Sequence, residues 1–433
     1  MRHFRMLRLS FGRMIRMFVC VAACAVSSCV DDTFDKHGQQ GSSGMLAFDV
    51  AVPGSWTNGS AATCAANKDI SIREMSQSGG GKPLYLVTEI AEAAVDTVAS
   101  DAITRGTPIE DEEVFAKNSF GLSAICYTGE WPQEDKNEWT TNFAHNIEVS
   151  YVKDRSTWNP ANALQWVGSG KIRFFAYSPY SAVSASSEDD TAENLSIIHS
   201  ATDATGVPML TYTVPKEVTE QIDLMAATAD CNGNGVGGDA QNGAVALNFT
   251  HALTAVTIKT GKEMLAGTVT DITISGVYGS GTYRIGADNW TTKGGPDCIF
   301  SIKQEVALGE NTENNQSEIM TKPGTVLNED EKGYTFMMIP QTLPKGAELK
   351  IAFKDNLTGT ERTLTAKLQD ETNSRTWPVG KRVIYSINST GIVIEPVITL
   401  DINRENTLLP NGGQKAVPIP GKRLYTEMTE EEI

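Results

Sequence analysis

Asp230, Asn232, Asn234 and Gly235 stand at the first, third, fifth and sixth places of a run whose twelfth place is Gln241. Oxygen-bearing side chains at alternate places, then a glycine, are the layout of a calcium loop, which closes on a bidentate glutamate. A glutamine offers one neutral oxygen there, and the flanks read as strand or loop where the motif needs two helices. The run is expected to be a flexible linker, and no metal is expected. Nucleophile arrangements are equally poor. Beyond the tether only His145, His199 and His251 occur, each apart from the others. No serine sits in a GxSxG elbow, and Gly168-Ser169-Gly170-Lys171 lacks the spacing of a phosphate loop. His251, in NFTHALTAVTI, is expected to pack or hydrogen-bond rather than act as a base. Paired carboxylates from distant segments would leave no trace in a sequence. No catalytic residue, cofactor or enzymatic activity is expected. Trp131, Trp139, Trp158, Trp166 and Tyr180 fall close together and have two uses: a platform for sugar faces, or core and rim packing.

Cys29 is the residue with the clearest chemistry. Arg2, Arg5, Arg8, Arg13 and Arg16 precede an apolar run over residues 17–26, and Val26-Ser27-Ser28-Cys29 closes it. A basic leader, a short apolar run and small residues at its exit are the parts of an export signal. The run is shorter than the ~20 residues of a membrane span. The four residues resemble a bacterial lipobox, in which the chain is cut before the cysteine and lipid is joined to its sulfur. An ordinary signal peptide cut near Ser28 is the other reading, and Met14 is an alternative start. Residues 1–28 are therefore read as a lipoprotein signal peptide and 29–44 as a flexible tether, whose GQQGSSG stretch favours a solvated coil. The remaining cysteines, Cys64, Cys126, Cys231 and Cys298, are widely spaced without a CxxC unit. Mostly free thiols, or at most one bridge, are expected.

The elements that carry these residues are written in two-residue steps. Leu210, Tyr212 and Val214 alternate with threonines, as do Leu364, Ala366 and Leu368 with Thr363, Thr365 and Lys367. Leu349, Ile351 and Phe353 repeat the pattern, as do Val383, Tyr385 and Ile387, and Ile147, Val149 and Tyr151. Alternate side chains of a strand face opposite ways, so each segment has a dry and a wet face. Many such strands between Gly, Asn and Pro turns predict an all-β chain of antiparallel sandwiches. Helical composition is confined to 89–100 (EIAEAAVDTVAS) and to the neighbourhood of 218–229. The order read from this is an N-terminal β-sandwich over 45–230, a Gly/Asn-rich linker over 231–243, a C-terminal β-sandwich over 244–389, and a strand with a polar tail over 390–433. The charge excludes one class of partner. Removing the five leader arginines from 36 basic residues leaves 31 against 53 acidic ones, a net −22. So acidic a surface repels phosphate backbones, and nucleic acid is not expected as a partner.

Seven stretches then appear in order: TRGTPI (104–109), SFGLSAICYTGEW (119–131), KIRFFAYSPY (171–180), DLMAATA (223–229), LNFTHALTAVTIKTG (247–261), FMMIPQTLP (336–344) and WPVGKRVIYSIN (377–388). Together they resemble the fimbrillin-like lipoproteins of Bacteroides and Porphyromonas, the type V pilus subunits and their relatives, over about residues 45–400. Val30-Asp31-Asp32-Thr33-Phe34-Asp35 similarly resembles the acidic leader that directs lipoproteins of the Bacteroidetes to the outer face of the outer membrane. The resemblance implies two tandem transthyretin-like β-sandwich domains, display at the outer membrane through a lipid on Cys29, and fimbrial subunits as partners in a homo- or hetero-polymer. Host or bacterial surface glycans or proteins are implied as further partners. It also implies polymerisation by strand exchange after an arginine-specific protease trims the amino-terminal segment. Residues 46–52 (LAFDVAV) are then the first strand, removed by cleavage at Arg105, or alternatively at Arg73. Ile392, Ile394, Ile398, Leu400 and Ile402 alternate in GIVIEPVITLDIN, as a donor strand requires; the same series also suits the last strand of its own domain, where Pro396 favours an edge. The alternative function is a monomeric surface lipoprotein binding glycans through the first-domain tryptophans. The polar tail from Arg404, ending in TEEEI, departs from the best-known stalk subunits and leaves stalk, anchor and tip roles open.

Overall fold

The computed structural model describes residues 45–53, 70–78, 83–92, 109, 112–131, 142–185, 194–198, 207–241, 243–260, 267–287, 289–308, 335–355, 359–369 and 375–388. Among them the chain is all-β, with one α-helical turn at Glu112–Phe115 and short 3-10 turns. No helix among the described residues is long and apolar enough to cross a membrane.

Three strands at the amino-terminal end enter the two largest sheets: β1 (Ala47–Ala51), β2 (Ser71–Gln77) and β3 (Leu84–Glu92). The first sheet has nine strands in the order Ala240–Gln241, Ala244–Asn248, β1, Thr157–Pro160, Ala144–Val152, Phe120–Tyr127, Lys171–Ser178, Met225–Asn232 and Thr250–His251. The second runs Cys298–Leu308, Gly267–Val277, Glu348–Asp355, Glu361–Lys367, β2, β3, Lys381–Asn388, Thr254–Thr260 and Phe336–Met338. A third, of five strands, joins Asn289–Lys293, Ser280–Arg284, Met209–Thr213, Leu195–Ile198 and Ser184–Ala185. Pairing is mainly antiparallel. The exceptions are β1 with Ala244–Asn248, Thr254–Thr260 with Lys381–Asn388, and Ser184–Ala185 with Leu195–Ile198.

The two-residue period sorts neighbouring side chains into different cores. Along Lys171–Ser178, Ile172, Phe174 and Ala176 enter one hydrophobic cluster, while Phe175 and Tyr177 enter the other. The first sheet is thus dry on both faces at its centre, which is why KIRFFAYS is a nearly continuous apolar run. One cluster holds Leu46, Phe48, Phe120, Trp158 and Phe249; the other joins Phe175 and Tyr177 to the strands of the second and third sheets. Full burial of each such side chain contributes about 1.5–3 kcal/mol.

Three expectations change here. Residues 231–243 are folded into the first sheet rather than linking two domains: Cys231 and Asn232 end one strand, Ala240–Gln241 is another, and Gly233 exchanges backbone hydrogen bonds with Gly168 and Gly170. The glycines are there for geometry. Gly235 has φ +76° and lies so close to Trp166 that a Cβ would stand 2.7 Å from the indole. The sheets also interleave across the expected boundary, since β2 and β3 lie in the second sheet, Ala244–Asn248 lies in the first, and Met209–Thr213 pairs with Ser280–Arg284. Finally, residues 89–92 of the stretch of helical composition 89–100 are strand, within β3, while 93–100 lie outside the described residues, and 218–229 holds a 3-10 turn and a strand. Pairing partners on both sides override a weak helical propensity.

Candidate assembly site

Phe48 in β1 and Leu46 just ahead of it form a wedge. Both are buried, at 2% and 0% exposure, and the Phe48 ring meets Phe120 and Phe174 edge-on with centroids 6.1 and 5.6 Å away. On one side β1 pairs along its full length with Ala244–Asn248, from Ala47↔Ala244 to Ala51↔Asn248. On the other it meets Thr157–Pro160 at Phe48↔Trp158, helped by a Leu46 N–H donating to the Leu164 carbonyl at 2.9 Å. Phe249 N–H donates to the Ala51 carbonyl at 2.8 Å and closes the far end. Removal of a strand so placed would leave a slot: two backbone edges without partners and an aromatic floor of Phe120 and Phe174.

β2 and β3 fill a second inner position. β3 pairs with Lys381–Asn388 at eight residues, from Lys381↔Glu92 to Asn388↔Tyr85. β2 pairs with β3 from Ser71↔Thr88 to Met75↔Leu84. Its far end crosses to Glu361–Lys367 at Ser76↔Thr365 and Gln77↔Leu364, and Ser78 continues that contact through its backbone N–H to Thr363. Met75, Leu86 and Val87 are buried. Where β2 diverges from Glu361–Lys367, a polar groove of about 550 Å³ opens, lined by Arg73, Glu74, Lys345, Glu348 and Lys367 among others. Lys350 and Lys367 reach the Glu348 carboxylate at 2.9 and 3.0 Å and hold its pKa below the ordinary value, against the opposing effect of burial.

A buried acid pins the chain ahead of the helical turn. Asp223 Oδ2 accepts the Ile109 N–H at 2.8 Å, and His251 Nδ1 lies 3.0 Å from Oδ1 and 2.9 Å from Oδ2. Ile109, Asp223 and His251 are all buried. His251 therefore positions an acid that holds a backbone, in keeping with a hydrogen-bonding role.

Cys29, Arg105, Ile392, Ile394, Ile398, Leu400 and Ile402 lie outside the described residues, as does Trp139. Arg73 lies within β2 opposite Leu86, a paired position and a poor protease substrate compared with an exposed loop. Trp158 is core, packed against Phe115 and Phe120. The Trp131 ring has the Arg173 guanidinium 4.7 Å from its centroid and Tyr127 edge-on at 5.1 Å, so one face that a sugar would need is occupied. Arg173 also reaches Asp230 at 2.7 Å. The Asp230 carboxylate accepts from Arg173 and the Tyr127 hydroxyl, and Asn232 and Asn234 are used by the hairpin itself: Asn232 Nδ2 donates to the Val236 carbonyl, and Asn234 Oδ1 accepts the Val236 N–H. Among the described residues no three His, Cys, Asp or Glu side chains group as metal ligands. Cys126, Cys231 and Cys298 are free thiols.

Sequence reasoning misses the pairing of β2 with β3. The signal that could have found it is the run Gly79-Gly80-Gly81-Lys82-Pro83 between SIREMSQ and LYLVTEI, turn-forming residues between two strand-like stretches.

A model of the family described as fimbrillin-like matches residues 104–404. Among solved structures, a fimbrial protein from Bacteroides vulgatus is 20% identical, covering 62% of this chain and 87% of its own, with a TM-score of 0.39. The fimbrial anchor protein Mfa2 from Porphyromonas gingivalis is 15% identical, covering 58% and 74%, with a TM-score of 0.23. No curated protein gives a significant match.

Proposed function

The chain belongs to the fimbrillin-like family, and we propose that it is a surface-exposed, non-enzymatic subunit of a fimbria that assembles by β-strand exchange and supports adhesion. A lipid on Cys29 holds it at the outer membrane, and other fimbrial subunits are its partners. The observation that carries this reading is the position of the amino-terminal strands. β1, β2 and β3, all ahead of the matched region, supply inner strands to both large sheets. Cleavage at Arg105 detaches their covalent connection, and an alternating apolar strand from a neighbour then takes the β1 slot. The series Ile392, Ile394, Ile398, Leu400 and Ile402 has the required two-residue spacing.

The test is polymerisation of the mature protein after arginine-specific cleavage, read as detergent-resistant ladders. Deletion of residues 391–402 is expected to abolish the ladders while leaving the monomer folded. Ladders that persist in the deletion variant would sink the donor assignment. The mature terminus of surface-extracted protein, read by mass spectrometry, checks the rest: Gly106 marks a processed subunit, and an acylated Cys29 an anchored one.

A further inference from the structure

We infer that β2 and β3 stay in the second sheet after the chain is cut, so that a subunit nicked at Arg105 keeps its own amino-terminal fragment as a bound second chain, and a partner displaces β1 alone. The inference rests on the strand-exchange reading for its cleavage point. The two inserts are held unequally. β1 has five pairs on one edge and a single pair on the other. The β2–β3 pair has eight partners along Lys381–Asn388 and a further crossing to Glu361–Lys367, where the Ser78 hydroxyl accepts the Thr363 N–H at 2.9 Å. Its two strands also pair with each other, so they dock as a unit, with Met75 and Leu86 in one core cluster.

Removal of either insert divides its sheet. Without β1, the first sheet divides into the pair Ala240–Gln241 and Ala244–Asn248 and an intact run of six strands from Thr157–Pro160 to Thr250–His251, with one new edge on each. Without β2 and β3, the second sheet falls into groups of four and three strands, with Glu361–Lys367 and Lys381–Asn388 as new open edges. Open edges re-pair with the nearest strand at either slot, so the difference lies in the pairs restored: eight along Lys381–Asn388 and two along Glu361–Lys367 for β2 and β3, against five and one for β1. Cys29 lies on the same fragment, so the nicked subunit stays lipid-anchored while its β1 slot accepts a neighbour. A cut subunit of this kind belongs at the base of a fibre.

The experiment uses the full mature chain with a specific protease site substituted at Arg105. It is cut to completion and run on a sizing column under native conditions, and each peak is identified by intact mass. The fragment ending at the cut is expected to coelute one-to-one with the remainder and to separate only in denaturant. A fragment that elutes alone, with the remainder still β-structured, overturns the inference; a precipitate is scored by whether both pieces are in it. Met75→Ala with Leu86→Ala is expected to release the fragment on cutting, whereas Phe48→Ala, which weakens β1, is expected to leave coelution unchanged. Polymer formation in the same samples separates the two readings. Ladders without the fragment overturn this inference and keep strand exchange; a retained fragment without ladders does the reverse.

Discussion

Phe48→Ala tests whether β1 is a seated strand or a loosely laid one. The ring is fully buried, and its neighbours Phe120 and Phe174 sit on paired inner strands that are not free to move into the space left behind. Truncating a phenylalanine in such a site costs about 3–5 kcal/mol, which already includes the roughly 0.5–1.5 kcal/mol that an edge-on aromatic pair adds beyond buried area. Against a typical stability of about 5–15 kcal/mol, the variant gives up a large share. Urea unfolding followed by tryptophan fluorescence suits the measurement, because Trp158 packs on Phe115 and Phe120 in the same cluster; the midpoint is expected to fall with the slope unchanged. Hydrogen exchange then locates the loss. Amides of β1 and Ala244–Asn248 are expected to exchange faster, while those of β3 and Lys381–Asn388 keep their protection. A loss below about 0.5 kcal/mol, in the range of ordinary surface changes, would refute the seated strand. So would equal acceleration in both sheets.

Three further outcomes rest on the same geometry. Asp223→Ala leaves the Ile109 N–H and His251 without their shared acceptor; a buried donor left unmade costs about 1–3 kcal/mol, so the melting temperature should drop, and Asp223→Asn, which keeps one carbonyl oxygen, should drop it less. Burial, with Asp239 and Asp230 nearby, pushes the Cys231 thiol up from 9.0 to about 12. The folded chain therefore keeps a proton that the unfolded chain releases, so this contribution is whole below pH 9.0 and declines as pH rises towards 12; Cys231→Ala should flatten the alkaline fall in stability, and native Cys231 should resist alkylation at neutral pH. Gly238 has φ +66° and faces the Asp230 carbonyl, whereas Gly243 has φ +85° in open space. Alanine at either position bears left-handed strain of about 1–3 kcal/mol, and Gly238→Ala should unfold at clearly lower urea than Gly243→Ala because it also clashes.

The sequence makes the strands legible and the sheets illegible. Alternation at Leu349–Phe353 and Val383–Ile387 finds Glu348–Asp355 and Lys381–Asn388 because one face of each is dry, and that fact is local. What lies beside a strand is not local. β3 carries Ile90, Ala91 and Glu92 into a stretch of helical composition, yet Lys381–Asn388 fixes them as strand. The Gly-rich stretch 231–243 reads as a linker because glycine serves both a free coil and a tight turn; only the approach to Trp166 and Asp230 distinguishes them. Asp223 gives no signal at all. An isolated acid in DLMAATA becomes a buried anchor only through the convergence of Ile109 and His251.

The parallel pairing of β1 bears on the proposed strand exchange. Antiparallel neighbours are commonly joined by a short turn, and that turn helps fix their register. β1 and Ala244–Asn248 run parallel and lie far apart in the chain, so no turn registers them. Register comes instead from the slot: Leu46 and Phe48 must face the aromatic floor, and Asp49 must face away from it, so a shift by one residue would bury the aspartate. Under the proposed strand exchange, a slot that selects its strand by the spacing of apolar side chains, and not by a connecting loop, admits a strand of the same spacing from another chain. β2 and β3 differ because their register is set twice, by their pairing with each other and by eight partners on Lys381–Asn388. Exchange at β1 with retention of β2 and β3 is therefore the combination that the two kinds of pairing favour.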